Sequence, residues 1–539
     1  MEPQWKTKEQ LTDLLCSLVN YPSITSSNDE IAIIEYLQHL LATKPYFKEN
    51  PDFLQTYPLK DGRQLLTALV KKPEAKDTIV LLSHVDVVGI EDYGSFQNLA
   101  FHPKELTREL QHRVKELPEE AADDLKTGDW LFGRGTMDMK AGLTVHLSML
   151  EKAMNGEFDG NLLLLAVPDE EVNSLGMLTA LPALDELQKR HDLNFKATMN
   201  GEPMFRKFPG DTAYYLYTGS IGKVLPGFLC YGKETHVGEP FAGLNANLMI
   251  SYLAQELELS EDFIETVGEE TTPPPISLMQ RDLKEEYSVQ TPQSAVAMYN
   301  VLYMEQTIAD INEKLLTAAE RARGKILQHY DNKAAHYISE NERDHLDMTV
   351  TVLTYEQLYR EAEKRYGKGE VERRQNLLTS QRDQGDRDFS TLLVQDLASL
   401  CKDIGPMIVL FYSPPFYPSV SSKKDPLIEA TVKDCQAYAS QTYGVALKNV
   451  EYFAGLSDLS FLGPVSSDSP LEDLLKLMPI QGRGFELPEN VMKTLNMPVI
   501  NVGPLGKDPH QWTERLELTY SFEYLPELLQ YTLKQLFNN

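Results

Sequence analysis

Apolar and polar positions change period several times along the chain. Residues 7–42 repeat apolar side chains at helical spacing, with a break at Tyr21-Pro22. This predicts two helices. Ser26, Ser27 or Asn28 offers the N-cap of the second one, IAIIEYLQHLL. Four short continuous apolar runs come later: TIVLL at 78–82, NLLLLAV at 161–167, FKATM at 195–199 and PVINV at 498–502. Such runs fit strands covered on both faces. Helical stretches at 141–153 and 176–190 lie between them. Alternating strand and helix predicts an α/β architecture around a mostly parallel sheet.

The middle of the chain has another texture. Residues 213–229 predict a hairpin around a glycine-rich turn, and 242–257 a helix. Residues 256–270 hold seven acids and no Lys or Arg, and three prolines follow at 273–275. A solvated edge or loop is expected there. Then come a strand at 294–304, a long helix at 307–330, a charged helix-prone stretch at 355–390, and a strand at 407–412 ended by the prolines of 414–418. No internal repeat is visible. The expected layout is an α/β domain at 1–212, a long α+β insertion at 213–423, and the rest of the first domain at 424–539.

Composition narrows the function. A formal net charge of −29 is too acidic for a nucleic-acid binder resting on phosphate neutralisation, so no nucleic-acid partner is expected. The apolar share, 42%, supports a large core. The longest aliphatic run, 162–167, is far short of the ~20 residues that cross a bilayer, so no membrane partner is expected. The start, MEPQWKTKEQ, lacks the apolar stretch of a secretory signal. Cys16, Cys230, Cys401 and Cys435 are far apart and form no CxxC pair. That argues against a disulfide scaffold or zinc ribbon and for the cytoplasm.

The chemistry gathers at the ends of the predicted strands. Ser83-His84-Val85-Asp86 follows TIVLL. On a strand His84 and Asp86 would share a face, and a metal-binding imidazole usually gives its other N–H to a carboxylate. Alone, His84 reads equally as a satisfied core or surface histidine. A second His-x-Asp, at 345–347, has no strand before it and reads as chance. Asp138, in GRGTMDMKAG, precedes a helix. It is either a plain N-cap or a carboxylate bridging two cations. Asp169-Glu170-Glu171 closes NLLLLAV, either as a surface turn or as a pair dividing metal ligation and general-base work. Glu202 closes FKATM in Asn-Gly-Glu-Pro, and His510 lies beyond PVINV. Open α/β sheets bind ligands outside the carboxyl ends of their strands. His84, Asp138, Glu171, Glu202 and His510 make a mixed N/O set suited to two divalent ions, Zn²⁺ or else Mn²⁺ or Co²⁺, with Asp138 shared. Ser457, in GLSDL, lacks the last glycine of a nucleophile elbow, and 219–223 misses the P-loop spacing because Tyr217 stands where a glycine is needed.

Together SHVDVV, GRGTMDMKAG, PDEEVNSLGM, NGEP and the late His510 resemble the M20 family of metallopeptidases and aminoacylases. Length and overall sequence are most similar to its arginine-utilisation branch. The resemblance covers about 200 N-terminal and 115 C-terminal residues. It implies a zinc-peptidase-like catalytic domain interrupted by a lid and dimerisation domain. It implies one metal between His84, Asp138 and Glu202, and another between Asp138, Glu171 and His510. Glu170 would be the general base, and Asp86 would orient His84. The stretch from Cys230 to Pro240 resembles the lid motif whose histidine, here His236, stabilises an oxyanion in a partner's site. Gly455-Leu-Ser-Asp458 is similar to a further segment lining the site. The insertion is longer than the usual lid. The lid arginine that grips a substrate carboxylate in many members has no counterpart in 298–304, MYNVLYM.

The expected activity is therefore di-metal hydrolysis of an amide bond in a peptide, N-acyl amino acid or related amino-acid derivative, with a homodimer built through the inserted domain. The alternative is a catalytically silent binding or regulatory protein on the same fold.

Overall fold

A computed structural model describes residues 4–341, 347–465 and 471–538. Two residues of the second His-x-Asp, 345 and 346, lie outside them. The chain divides into two compact units. One comprises Met1–Ile221, Val420–Val465 and Pro488–Asn539, and the other Gly222–Ser419 with the described part of Ser466–Leu487. That last segment falls within the stretch that the sequence pattern assigns to the resumed catalytic part.

The first unit is built on an eight-stranded sheet. Its order is Leu54–Pro58, Gln64–Val70, Asn161–Val167, Asp77–His84, Asn194–Asn200, Val499–Asn501, Tyr214–Tyr217 and Leu447–Val450. The four strands from Asn161–Val167 to Val499–Asn501 run parallel, as an α/β architecture requires. Every residue of Asn161–Val167 is buried, as is every residue of Asp77–His84 after Asp77. Helices Lys140–Met154 and Leu175–His191 occupy the two stretches predicted as helices at 141–153 and 176–190. A smaller sheet joins Gly506–Lys507, Arg515–Glu517 and Trp130–Phe132. Asp138 follows a strand of this smaller sheet and His510 lies in the loop between two of its strands, so the expectation that His510 ends a strand of the parallel sheet is corrected; His84, Glu170, Glu171 and Glu202 follow strands of the large one.

The second unit has a five-stranded sheet, ordered Ile276–Asp282, Ser294–Tyr303, Gly222–Tyr231, Met407–Tyr417 and Thr351–Thr354. Helices Ala246–Leu257 and Ile308–Asn341 pack on one another. Helix Asp386–Leu400 buries Phe389, Leu393, Val394 and Leu397.

Three other expectations need correction. Residues 213–229 are not a hairpin. Tyr214–Tyr217 pairs with Leu447–Val450 in the first unit, and Gly222–Tyr231 pairs with Ser294–Tyr303 and Met407–Tyr417 in the second. The glycines mark a crossing, where Gly219–Ser220 pairs antiparallel with Val420–Ser421 as the chain returns. The strand at 407–412 does not stop at its prolines but runs to Tyr417, fully buried. The ladder skips from Ser413 to Tyr417, so the missing proline N–H groups fall where no pairing is made. The acidic run is not simply solvated. Glu256 pairs with Arg321 and Lys325, and Glu265 accepts hydrogen bonds from the backbone of Met304, Glu305 and Gln306.

Candidate metal centre

Seven of the eight expected site residues belong to the first unit, and the fold brings them together. His84 is the last residue of its strand, 2% exposed, opposite Val167 in the parallel register. Its Nε2 lies 3.2 Å from Asp138 Oδ1, 3.7 Å from Glu202 Oε1 and 4.0 Å from Glu170 Oε2. His510 Nε2 lies 3.4 Å from Asp138 Oδ2 and 3.2 Å from Glu171 Oε1. Each carboxylate oxygen of Asp138 thus faces one imidazole. His84, Asp138 and Glu171 each offer one donor atom within 4.8 Å of the others.

Close backbone packing makes this convergence possible. A Cβ on Gly142 would sit 2.0 Å from the Gly201 carbonyl oxygen, and one on Gly503 would sit 1.8 Å from that of Glu202. Only glycine allows the helix after Asp138 and the chain after Val499–Asn501 to approach the Glu202 turn so closely. Asn501 Nδ2 also donates to the Glu202 carbonyl oxygen at 3.0 Å.

Asp86 does more than the sequence suggests. The strand ends at His84, so the shared-face argument does not apply. His84 Nδ1 lies 3.0 Å from the Asp86 carbonyl oxygen and 3.5 Å from its carboxylate. The carboxylate accepts the backbone N–H of Glu170 at 3.1 Å and of Glu171 at 3.2 Å, and Thr25 donates to it at 2.8 Å. One buried acid therefore touches the histidine and sets the acid turn. Within that turn the three acids diverge. Asp169, in the left-handed region at φ 72°, pairs with Arg63 at 2.9 Å, and Arg63 also holds buried Glu30 at 2.7 Å. Glu170 and Glu171 face the imidazoles.

The electrostatics call for positive charge. Burial, reinforced by Glu202, Asp458 and Glu171 against the pull of His84, holds Glu170 well above the usual carboxylate range. Glu202 is raised in the same way, by burial and then by Asp138 and Glu171. Burial opposes the charge on His510, but bonds to Asp138 and Glu171 outweigh it and push its pKa up to about 11. Burial also opposes ionisation of Asp138, yet the two histidines bring it below its ordinary value.

The donor set fits divalent cations. Ligands at ~2.0–2.1 Å around a tetrahedral ion stand roughly 3.3–3.4 Å apart. The spacings His84–Asp138, His84–Glu202, His510–Asp138 and His510–Glu171 are 3.2, 3.7, 3.4 and 3.2 Å.

His236 lies in the second unit. It is exposed, its Nδ1 accepts the Gly238 N–H at 3.1 Å, and its backbone bridges to Gln290. Sequence reasoning missed Glu30, Arg63 and Glu514. Nothing in their spacing marks them, because their partners are distant in the chain. Asp458 is buried, with burial first and nearby acids raising it to about 7, and Asn200 Nδ2 donates to its neighbour Ser457 at 2.8 Å.

Comparison with known proteins gives these residues a setting. Residues 80–466 match the model of peptidase family M20/M25/M40. The chain is 53% identical over 533 residues to YqjN of Bacillus subtilis (strain 168), covering 99% of this chain and 97% of that one. It is 30% identical over 536 residues to the protein RocB of the same organism, covering 97% and 94%. The M20 family metallo-carboxypeptidase Sso-CP2 from Sulfolobus solfataricus superposes with a TM-score of 0.53 over 98% of this chain and 99% of that one; at 11% identity the likeness is one of fold. The chain belongs to peptidase family M20/M25/M40 and is a metallohydrolase of the M20 type.

Proposed function

We propose that this chain hydrolyses an amide bond of a peptide, N-acyl amino acid or related amino-acid derivative, using two divalent cations. His84, Asp138 and Glu202 would hold one, and Asp138, Glu171 and His510 the other. The observation that carries the reading is the pair of donor sets meeting at the two oxygens of Asp138. When bound, such cations acidify water toward a pKa of about 7 and polarise a carbonyl oxygen.

The chain's own groups do the rest. Glu170, beside both donor sets but outside either, takes the proton of the attacking water and passes it to the leaving amine. Asp86 keeps Glu170 and Glu171 in place by binding their backbone N–H groups. His236 donates to the tetrahedral oxyanion, a contact that a homodimer through the inserted domain would supply. The kinship with RocB supports an arginine-related substrate. No helix among the described residues is long and apolar enough to cross a membrane. Four unpaired cysteines support a reducing compartment, the cytoplasm.

The test is a screen of dipeptides, N-acyl amino acids and arginine derivatives with Zn²⁺, Mn²⁺ or Co²⁺, run beside Glu170→Gln. The variant is expected to bind both cations and to lose about 10²–10⁴ in turnover. Turnover at the parent rate would remove Glu170 from its role. A parent that binds cations and cleaves nothing would favour the silent binding protein instead.

A further inference from the structure

Two of the proposed ligands depend on irregular backbone. Asp138 ends a turn between a short strand and a helix, and His510 sits in a loop with φ 61°, near Asp508 at φ 58°. Left-handed conformations of such residues cost about 1–3 kcal/mol and persist only where their surroundings over-determine them. The imidazole of His510 is 49% exposed, so packing alone does not fix it.

Glu514 stands where these two segments meet. It is completely buried. Its carboxylate Oε1 accepts the backbone N–H of Met137 at 3.1 Å and of Asp138 at 3.4 Å. Its Oε2 accepts from Arg134 Nη1 at 2.7 Å. Its carbonyl oxygen accepts the Gly133 N–H at 3.1 Å, and its own N–H closes a turn onto the Gln511 carbonyl at 2.9 Å. One residue of the His510 loop thus holds the Asp138 turn at both ends. Arg134, 1% exposed, is held in turn by Asp92 at 3.0 Å and by the Gly89 carbonyl at 3.2 Å. On the other side of the loop, Thr513 donates to Asp508 at 2.8 Å, and Arg515 pairs with Asp508.

We propose that Glu514, fixed by Arg134, is a positioning residue that sets His510 against Asp138 and so determines cation uptake in the Asp138–Glu171–His510 half of the site. Glu514 touches neither imidazole nor the reacting atoms. It acts by joining the two backbones whose side chains must stand about one ligand–ligand distance apart. The inference rests on the two-cation reading and deepens it. It predicts an unequal effect on the two halves, because both depend on the Asp138 turn that Glu514 holds, whereas only one also depends on the His510 loop.

The experiment is calorimetric titration of the full, chelator-stripped chain with Zn²⁺ and with Mn²⁺, alongside thermal melts. The parent is expected to take up two equivalents. Glu514→Ala should weaken one 10–100-fold, the usual size of an outer-shell effect, and the other by clearly less. Glu514→Gln keeps the shape and one acceptor but loses the charge facing Arg134, and should fall between; it serves as the test if the alanine variant does not fold. On a His510→Ala background, Glu514→Ala should cost no further affinity in the half that His510 serves. Parent affinities for both equivalents, equal weakening of both, or a lowered melting temperature with unchanged binding would overturn the assignment. A parent that takes up no divalent cation would overturn the two-cation reading as well, and its own silent titration would tell that case apart.

Discussion

His84 and His510 are held by opposite means. His84 closes a strand flanked on both sides by parallel neighbours, and its place follows from sheet register. It is buried, and its ring is surrounded by Asp86, Asp138 and Glu202. His510 sits in a left-handed loop, half exposed, and its place follows from hydrogen bonds that Glu514, Thr513 and Arg515 make around it. A regular element positions a ligand by its own ladder. A loop needs buried charged groups from elsewhere in the chain to do the same.

Removing each imidazole from the metal-free protein tests this contrast most strongly. Glu202, Asp138 and Asp86 outweigh the burial that opposes charge on His84 and hold its pKa well above the ordinary imidazole value. His84→Ala should cost about 3 kcal/mol in denaturant melts, since it leaves buried carboxylates without their partner. His510→Ala should cost less than His84→Ala, because its half-exposed imidazole leaves its pairs with buried Asp138 and Glu171 partly screened by solvent. Equal costs would break the comparison.

A smaller effect is expected at Asp86, which serves both halves. Asp86→Asn places an amide N–H where the backbone donors of Glu170 or Glu171 now point. Titration should show a similar 10–100-fold loss of affinity for both cations, in contrast to the unequal loss at Glu514. A one-sided loss at Asp86 would show that its contact with His84 matters and its hold on the acid turn does not.

The smallest effect lies in the strand that follows the His510 loop. Glu517 is raised to about 7, first by burial and then by its bond to Asp129. An acid whose folded pKa exceeds its unfolded value of about 4.5 binds its proton more tightly in the folded state. Its contribution is therefore full below pH ~4.5 and is lost as the pH rises through about 7. Melts of Glu517→Gln between about pH 4.5 and 8 should show a flatter profile than the parent, with the gain at the alkaline end. An unchanged profile would assign the raised proton affinity to another group.

Much of this site is legible in the amino-acid sequence. Continuous apolar runs followed by His84, Glu170, Glu171 and Glu202 are local signals, and a parallel sheet necessarily collects the ends of its strands on one side, whereas His510 comes from a loop of the smaller sheet. Asp138 is legible through its glycine-rich motif, although it arrives from a different sheet. The double duty of Asp86 is not, because it depends on where the strand stops and on a turn far along the chain.

Periodicity and residue chemistry thus determined the strands, the helices and the identity of the candidate ligands, since each is a property of a short stretch meeting water or core. Tertiary packing alone decided that residues 213–229 split between two units, that the prolines of 414–415 continue a strand, that Arg63 draws Asp169 away from the imidazoles, and that Glu514 ties the Asp138 turn to the His510 loop. These are pairings across long stretches of chain. Their energy exists only once both partners are buried together, and no short window of sequence records which distant partner that will be.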